Sequence, residues 1–526
     1  MRAPCDEAVL RSGAAEAACG EDAKPWILTA TILGSSMAFI DSTVVNVALP
    51  AIQASFHATV VDMQWVVESY GLFLGALTLV GGSLGDLWGR RLIFVVGVAI
   101  FSAASASCGL ASNIHQLIIA RSIQGVGAAL LVPGSLAIIS ASFDERSRGP
   151  IGTWSGFSAI TTAVGPVLGG WLVEHASWRW AFLINLPIAA AVITISLWRI
   201  PESRRATAGR IDWIGAFFAT LGLGGLVTGF LESVNSGWTN PLVFGSLIVG
   251  FAGLIAFVFV ESHVTSPMVP LTLFESRGFS GANLLTFLLY AAIGIFFFLF
   301  PLNLIQVQRY PTTPAGAALL PLILLMFLLS RWAGGLVARY GPRGPLIIGP
   351  FVAGTGFLLF AVPSVGNSYW IAFFPAIVVL GFGMTVTVAP LTTVVMNSVK
   401  GDRLGTASGV NNAVARVAGV LAIAVLGIVM VKAFGFHLNR SLAGFSLSPD
   451  ILQELQSNEI KLAGLQIPAG LDTTAKTAIQ KSVGDAFIYG FRIVMLLCSG
   501  LSLASAAVAW RLIPQDRDRA SLAANS

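Results

Sequence analysis

The chain has 526 residues, of which 55% are hydrophobic and only 10% charged. A water-facing protein of this length would carry about 25% charged residues, so a soluble globular protein is excluded. The formal net charge of +5 rests on Lys and Arg in short segments between apolar runs, which is a membrane-topology pattern and not a nucleic-acid footprint.

The apolar runs are about 20 residues long, the length of a helix crossing a hydrocarbon core. They do not alternate as barrel strands would. Hydropathy predicts an all-α polytopic membrane protein of fourteen spans, near 26–50, 65–87, 92–111, 116–139, 151–173, 180–199, 212–231, 242–261, 281–304, 315–337, 346–362, 370–393, 405–431 and 486–510. Residues 1–24 are polar and Ala-rich, and the first run is long enough to stay as a span, so no cleaved leader is expected. Cys5 and Cys19 fall in the tail and Cys108 and Cys498 in apolar runs, without metal or disulfide spacing.

An even count puts both termini on one side. Nineteen basic residues lie in the tails and even-numbered junctions, among them Arg90, Arg91, Arg146, Arg148, Arg199, Arg339, Arg343 and Arg403. The short odd junctions hold only Arg179 and Arg309. Basic loops stay in the cytoplasm, which predicts cytoplasmic termini. Segment 433–485 also carries basic residues, but long loops escape the rule. It is expected to be the one sizeable extramembrane piece, with a short helix after Ser448-Pro449-Asp450 and another starting at Asp472 that runs into the last span.

A repeat divides the chain. Gly82-Ser83-Leu84-Gly85-Asp86-Leu87-Trp88-Gly89-Arg90-Arg91 ends span 2, and Gly334-Gly335-Leu336-Val337-Ala338-Arg339-Tyr340-Gly341-Pro342-Arg343 ends span 10. The repeat predicts an N-terminal tail (1–25), a first six-helix bundle (26–200), a linker with two extra helices (201–265), a second bundle (266–510, containing 433–485) and a C-terminal tail (511–526). Parallel repeats place substrate at their interface near the midplane. Asp86 aligns with Ala338, so only the first copy keeps an acid able to pair with Arg at the cytoplasmic mouth. The competing reading is a charged turn that anchors a loop.

Ionisable groups inside a span are costly and mark pathways or pairs. Asp41 lies ~22 Å along span 1 from Trp26, and Arg121 ~9 Å into span 4 from His115, at 1.5 Å per residue. Both therefore sit in the outer half of a core ~30 Å thick. An Asp whose proton affinity is set by a neighbouring Arg suits proton coupling; a static ion pair that orients two helices is the alternative. Arg416, mid-span 13, is a cavity or packing residue of the second half. Glu68, Arg331, Asp485 and Arg492 lie nearer span ends, with Glu68 the exception to an interfacial reading. In span 5, Gly156 and Gly165-Pro166-Val167-Leu168-Gly169-Gly170 combine a bend with a close-packing seam.

These motifs together resemble the major facilitator superfamily, and within it the fourteen-helix drug:proton antiporter family (EmrB/QacA type). The Gly82–Arg91 run is similar to that superfamily's loop 2–3 motif, and Arg121-x-x-Gln124-Gly125-x-Gly127 to its span-4 motif. Gly156 with Gly165-Pro166-x-x-Gly169-Gly170 resembles the span-5 antiporter motif. Asp41-x-Thr43-Val44-Val45-Asn46-Val47-Ala48-Leu49-Pro50 resembles the span-1 motif of the fourteen-helix group. The resemblance implies two six-helix bundles plus two inserted helices, alternating access, and proton influx driving export of amphipathic compounds. It implies a proton gradient in place of any cofactor, and a monomer in the plasma or inner membrane. Its partners are lipid, protons and a small amphipathic substrate, with no nucleic acid, and with a periplasmic adaptor if the source is Gram-negative. Leu87 departs from the loop motif, where a basic residue is usual. The second half offers no acid near the midplane, which argues against dicationic substrates.

Two alternatives stand beside this reading: a transporter of another kind, and a membrane-bound enzyme or receptor. A metabolite, siderophore or lipid exporter or symporter shares the fold signals, and span 5 favours antiport over symport. An enzyme needs convergent acid, base or nucleophile groups, but His57, His115, His175, His263 and His437 are dispersed. No phosphate-binding Gly-Lys-Ser/Thr loop occurs. A non-transporting receptor is the remaining alternative.

Overall fold

The computed structural model describes residues 23–143, 149–204, 211–265, 267–399, 404–445, 448–467 and 471–515. Arg146, Arg148, Arg205, Arg210, Lys400 and Arg403, with Arg2, Arg11, Arg517 and Arg519 of the tails, entered the charge count and lie outside the described residues.

Among the described residues the fold is all helical. The long helices of the first part are α1 (Lys24–Phe56), α2 (Val60–Trp88), α3 (Arg90–Gly109), α4 (Ile114–Ser142), α5 (Gly149–His175) and α6 (Trp180–Arg199), the last broken at Ile184. Two more follow, α7 (Trp213–Ser236) and α8 (Pro241–His263). The remainder are α9 (Arg277–Leu302), α10 (Leu320–Tyr340), α11 (Arg343–Phe360), α12 (Phe374–Asn397), α13 (Leu404–Leu442) and α14 (Thr473–Leu512). Thirteen helices among the described residues are long and apolar enough to cross a membrane. The fourteenth expected span coincides with α5, a helix of 27 residues whose composition is as apolar as that of α1, but several of whose residues have surroundings outside the description.

The helix ends follow local chemistry. Asn113 caps α4 by accepting from the Gln116 amide at 2.9 Å, and Asp472 caps α14 by accepting from Ala475 at 2.8 Å. Such caps satisfy amides that the first turn leaves free. The two copies of the repeated motif break the chain at equivalent glycines: Gly89 has φ +122° and Gly341 has φ +73°. Side chains other than glycine rarely adopt such values.

In segment 433–485 both expected helices form, the short one after Ser448 and the one capped by Asp472 that runs into the last span, but the preceding span extends past its expected end at 431. Helix α13 continues to Leu442 and α14 begins at Thr473. Only a short helix (Pro449–Ser457) and a tight turn (Glu459–Gly464) lie between them among the described residues. Polar residues end a hydropathy window, but they do not end the backbone ladder of a helix. Ser448 stands at the start of the short helix, without a side-chain cap bond.

The chain divides into two compact units. The first comprises Met1–Ala48, Trp65–Gly225 and Val249–Pro270; the second comprises Leu49–Gln64, Leu226–Ile248 and Leu271–Ser526. In the first, a Cβ on Gly127 would lie 2.5 Å from the Phe101 amide nitrogen, and one on Gly97 would lie 2.8 Å from that of Leu131. Small residues on both faces thus let α3 and α4 approach backbone to backbone. Phe94, Val98 and Phe101 fill the adjoining core with Leu131, Ile138 and Val192.

In the second unit, Phe296, Phe300, Phe357, Phe360 and Phe373 are fully buried and pack on one another. Ring centroids stand 4.8 Å apart for Phe296–Phe360 and 5.3 Å for Phe300–Phe360. Many of the chain's phenylalanines are therefore core residues of this unit. Helix α8 shows the opposite pattern: Phe244, Ile248, Phe251, Ile255 and Phe259 form an exposed stripe at helical spacing, as a lipid-facing surface requires.

Candidate functional site

The first unit buries an ion pair with its own solvation shell of side chains. Arg121 on α4 donates from Nη1 to Asp41 Oδ2 on α1, and both residues are essentially fully buried. Gln124, one turn along α4, bridges them. Its Oε1 accepts from Arg121 Nη1 at 2.7 Å and its Nε2 donates to Asp41 Oδ1 at 2.8 Å. Asn185 Nδ2 on α6 donates to the same Oδ1 at 3.4 Å and to Ser105 Oγ on α3 at 3.0 Å. Ser105 in turn takes a bond from Gln124 Nε2 at 3.2 Å and donates to the Phe182 carbonyl at 2.9 Å.

Arg121 is held from α2 as well. Its Nε donates to the Val66 carbonyl at 3.1 Å, and its guanidinium lies 4.2 Å from the centroid of Tyr70. A buried charge is tolerated when its hydrogen-bonding capacity is filled. Each carboxylate oxygen of Asp41 has at least one donor, and Arg121 keeps Gln124, Val66 and the Tyr70 face even without Asp41. Protonation of Asp41 would therefore remove one charge without leaving Arg121 unpartnered.

The site depends on tight helix contacts. A Cβ on Gly125 would meet the Tyr70 carbonyl at 2.6 Å, so this glycine lets α4 approach α2 beside the arginine. Gly165 on α5 abuts Thr43 and Ile40, and a Cβ on Gly169 would lie 3.0 Å from the Val44 carbonyl, so the span-5 motif packs on α1 next to Asp41. Pro166 lies within α5, where it removes a helix hydrogen bond, and Gly169 and Gly170 are buried. Gly156 lies on α5, at a position whose surroundings fall outside the description.

The loop 2–3 motif forms a second cluster. Arg90 Nε and Nη2 both donate to Asp86 Oδ1, at 2.9 and 2.8 Å. Arg91 turns elsewhere: its Nη1 donates to the Ile200 carbonyl at 3.0 Å. Glu202, which sequence reasoning missed, accepts from the Arg91 and Leu92 amides at 3.0 and 3.1 Å. It caps the start of α3, where negative charge also complements the helix dipole. A Cβ on Gly89 would lie 2.5 Å from the Glu202 carboxyl, so this glycine is needed for space as well as for its φ. Gly82 lies in α2, where a Cβ would meet only Pro133. In the second copy, Arg343 donates instead to the Trp510 carbonyl.

Arg416 is partly buried on α13. A polar contact missed from sequence lies on the same helix. Asn411 Nδ2 donates to Asn283 Oδ1 at 3.1 Å and to Thr286 Oγ1 at 2.8 Å on α9. Arg492 serves the turn after α11, donating to the Val362 and Pro363 carbonyls and to Ser364 Oγ. Glu68 is fully buried on α2, and neither carboxyl oxygen has a hydrogen-bond partner among the described residues. No group of three or more His, Cys, Asp or Glu among the described residues is placed to hold a metal ion.

Long apolar helices around a buried, hydrogen-bonded ion pair define a polytopic membrane protein of the transporter class. Residues 31–423 match the Major Facilitator Superfamily, and the chain belongs to that family. It is a multi-pass membrane transporter and not an enzyme. It is 31% identical to the multidrug resistance protein Stp of Mycobacterium tuberculosis, over 93% of this chain and 92% of that protein. It is likewise 31% identical to the tetracenomycin C resistance and export protein of Streptomyces glaucescens, over 94% and 92% of the two chains. The crystal structure of a bacterial homolog of the human lysosomal transporter Spinster, inward-facing and unoccupied, superposes with a TM-score of 0.62 at 17% identity. It covers 94% of this chain and 98% of that one.

Proposed function

We propose that the chain exports drug-like amphipathic compounds across the plasma membrane in exchange for protons, by alternating access. The observation that carries this reading is the Asp41–Arg121–Gln124 cluster: a carboxylate wholly inside the membrane domain, bonded on both oxygens, beside a cation that retains partners when the carboxylate is neutral. A static pair could be replaced by apolar residues at little cost in stability, so its cost is better explained by a proton that comes and goes. The names of the two relatives, multidrug resistance and tetracenomycin C resistance and export, support the substrate class.

The remaining roles follow in the same reading. Asp41 carries the proton and Arg121, oriented by Gln124, sets its affinity. The Asp86–Arg90 pair, with Gly82, Gly89 and Arg91, latches the cytoplasmic end. Gly165-Pro166 and Gly169-Gly170 form the seam on which α5 moves against α1. Arg416 serves the second half as a cavity or packing residue. The architecture is fourteen spans, six plus two plus six, with both termini cytoplasmic.

Inverted membrane vesicles with an imposed pH gradient test the proposal. Addition of a transported compound is expected to collapse the gradient in wild type, and Asp41→Asn is expected to lower this by about tenfold or more, the loss of roughly 1.4 kcal/mol or more of coupling. Asn keeps the shape of the side chain and one of its two acceptor oxygens but cannot take up a proton. Unchanged proton-driven transport in Asp41→Asn would sink the assignment.

A further inference from the structure

The second unit contains a cavity of about 730 Å³, within the size range of small-molecule sites. Its wall is built from four pieces of chain: the end of α1, the turn after α9, the tight turn Glu459–Gly464 and the first turns of α14. Three full cations line it, Arg309, Lys461 and Lys476, and no lining residue is acidic. None of the three has an ion pair among the described residues. The nearest acids along the chain are engaged elsewhere: Glu459 accepts from Asn439 Nδ2 at 3.3 Å, and Asp472 caps α14.

The rest of the wall is polar and ordered. Gln306 Nε2 donates to Gln53 Oε1 at 2.7 Å, and Gln53 Nε2 donates to the Lys461 carbonyl at 3.1 Å. Gln466 and His57 share a bond of 3.3 Å. Gln480, one turn after Lys476 on α14, adds an exposed amide. Three non-glycine residues with φ between +51° and +61° occur among the described residues: His57, Arg309 and Leu462. Two line this cavity, and the third lies between its lining residues Lys461 and Ala463. Such conformations are costly for side-chain-bearing residues and cluster where function over-determines the backbone.

We infer that this cavity is a binding site for a phosphate-bearing anion, such as the headgroup of an anionic phospholipid or a free phosphate ester. Three unneutralised cations in one concavity raise the local concentration of anions. Lys and Arg with flanking amides supply the charge-assisted donors that phosphate oxygens take. On the proposed topology the cavity opens on the outer side, at the level of a leaflet's headgroups; that placement rests on the function proposed above, but binding does not.

Full-length purified protein would be titrated with glycerol 3-phosphate, and in parallel its retention of phosphatidylglycerol against phosphatidylcholine would be read by native mass spectrometry. Wild type is expected to bind the anionic species selectively. The triple variant Arg309→Gln, Lys461→Gln, Lys476→Gln is expected to lose about tenfold or more in affinity. Gln480→Glu, which adds a carboxylate at an exposed wall position, is expected to lose about fivefold with an unchanged melting temperature. Arg440→Gln, outside the lining, serves as control. Binding of glycerol 3-phosphate that falls in both variants supports a free phosphate ester as ligand. Loss confined to phosphatidylglycerol supports a lipid headgroup. Equal binding by wild type and both variants, or equal retention of the two lipids with no glycerol 3-phosphate binding, overturns the inference. The assay needs no proton gradient, so its outcome is independent of whether Asp41 couples transport.

Discussion

Gln124 is the residue through which the buried pair can be tuned, because it touches both charges. Gln124→Leu removes a donor from Asp41 and an acceptor from Arg121. Hydrogen bonds to charged groups contribute about 1.5–3 kcal/mol each, so a lower melting temperature and weaker proton-driven export are expected together. Gln124→Glu is the sharper test. It places a second carboxylate where an amide now stands 2.8 Å from Asp41. Two carboxylates sharing one site cannot both ionise easily, so the pair holds a proton to higher pH. The pH at which export is half-maximal should move upward, measured as transport in vesicles across a pH series; a profile that stays in place would mean that Asp41 does not titrate during transport. Asp41 and Arg121 were legible in the sequence because a charge inside an apolar run is conspicuous. Asn185 and Ser105 were not, since neutral polar residues in spans are common and only the folded chain brings α3 and α6 onto the Asp41 carboxylate. Glu202 was missed for a similar reason: it lies 111 residues after the amide that it caps.

At the scale of helices, the loop 2–3 motif shows how a short sequence pattern codes a backbone event. Gly89 and Gly341 recur in register, and the chain turns through positive φ in both copies. The first copy alone adds a carboxylate cap. Glu202→Ala would strip two amides at the start of α3 of their acceptor, which costs about 0.5–2 kcal/mol for a helix cap. A melting temperature lowered by a few degrees, with the Asp86–Arg90 pair intact, is the expected result. Glu202→Gln should recover part of it, because a side-chain amide oxygen still accepts; equal losses in both variants would assign the effect to charge and not to capping. Helix ends elsewhere were less legible. Hydropathy reports where lipid contact stops, whereas the ladder of α13 runs on to Leu442; the start of α14 was legible only through its capping residue Asp472. The buried phenylalanines carry the same lesson. Their abundance reads from composition, but whether they face lipid, ligand or each other is decided by α9, α11 and α12 packing together.

For the molecule as a whole, orientation is the property from which the other functional assignments take their meaning: the latch of Asp86 and Arg90 is cytoplasmic, and the cationic cavity is external, only if the basic junctions face inward. The charge asymmetry makes a definite forecast. In a background with Cys5, Cys19, Cys108 and Cys498 replaced, Arg179→Cys between α5 and α6 should react with a membrane-impermeant thiol reagent added to intact cells. Arg343→Cys, after the second copy of the motif, should react only once the membrane is opened. The two positions are separated by five spans, α6 to α10, whether or not α5 crosses the membrane, so this pair fixes the orientation and leaves the status of α5 open. Adding a third site, Trp88→Cys at the end of α2, resolves this. With α5 spanning, Trp88→Cys and Arg343→Cys share the protected face. With α5 not spanning, Trp88→Cys and Arg179→Cys share a face. The fourteen-span arrangement thus stands on the first labelling pattern, and the second would separate α5 from the spans and move the Gly165-Pro166 seam out of the transport pathway.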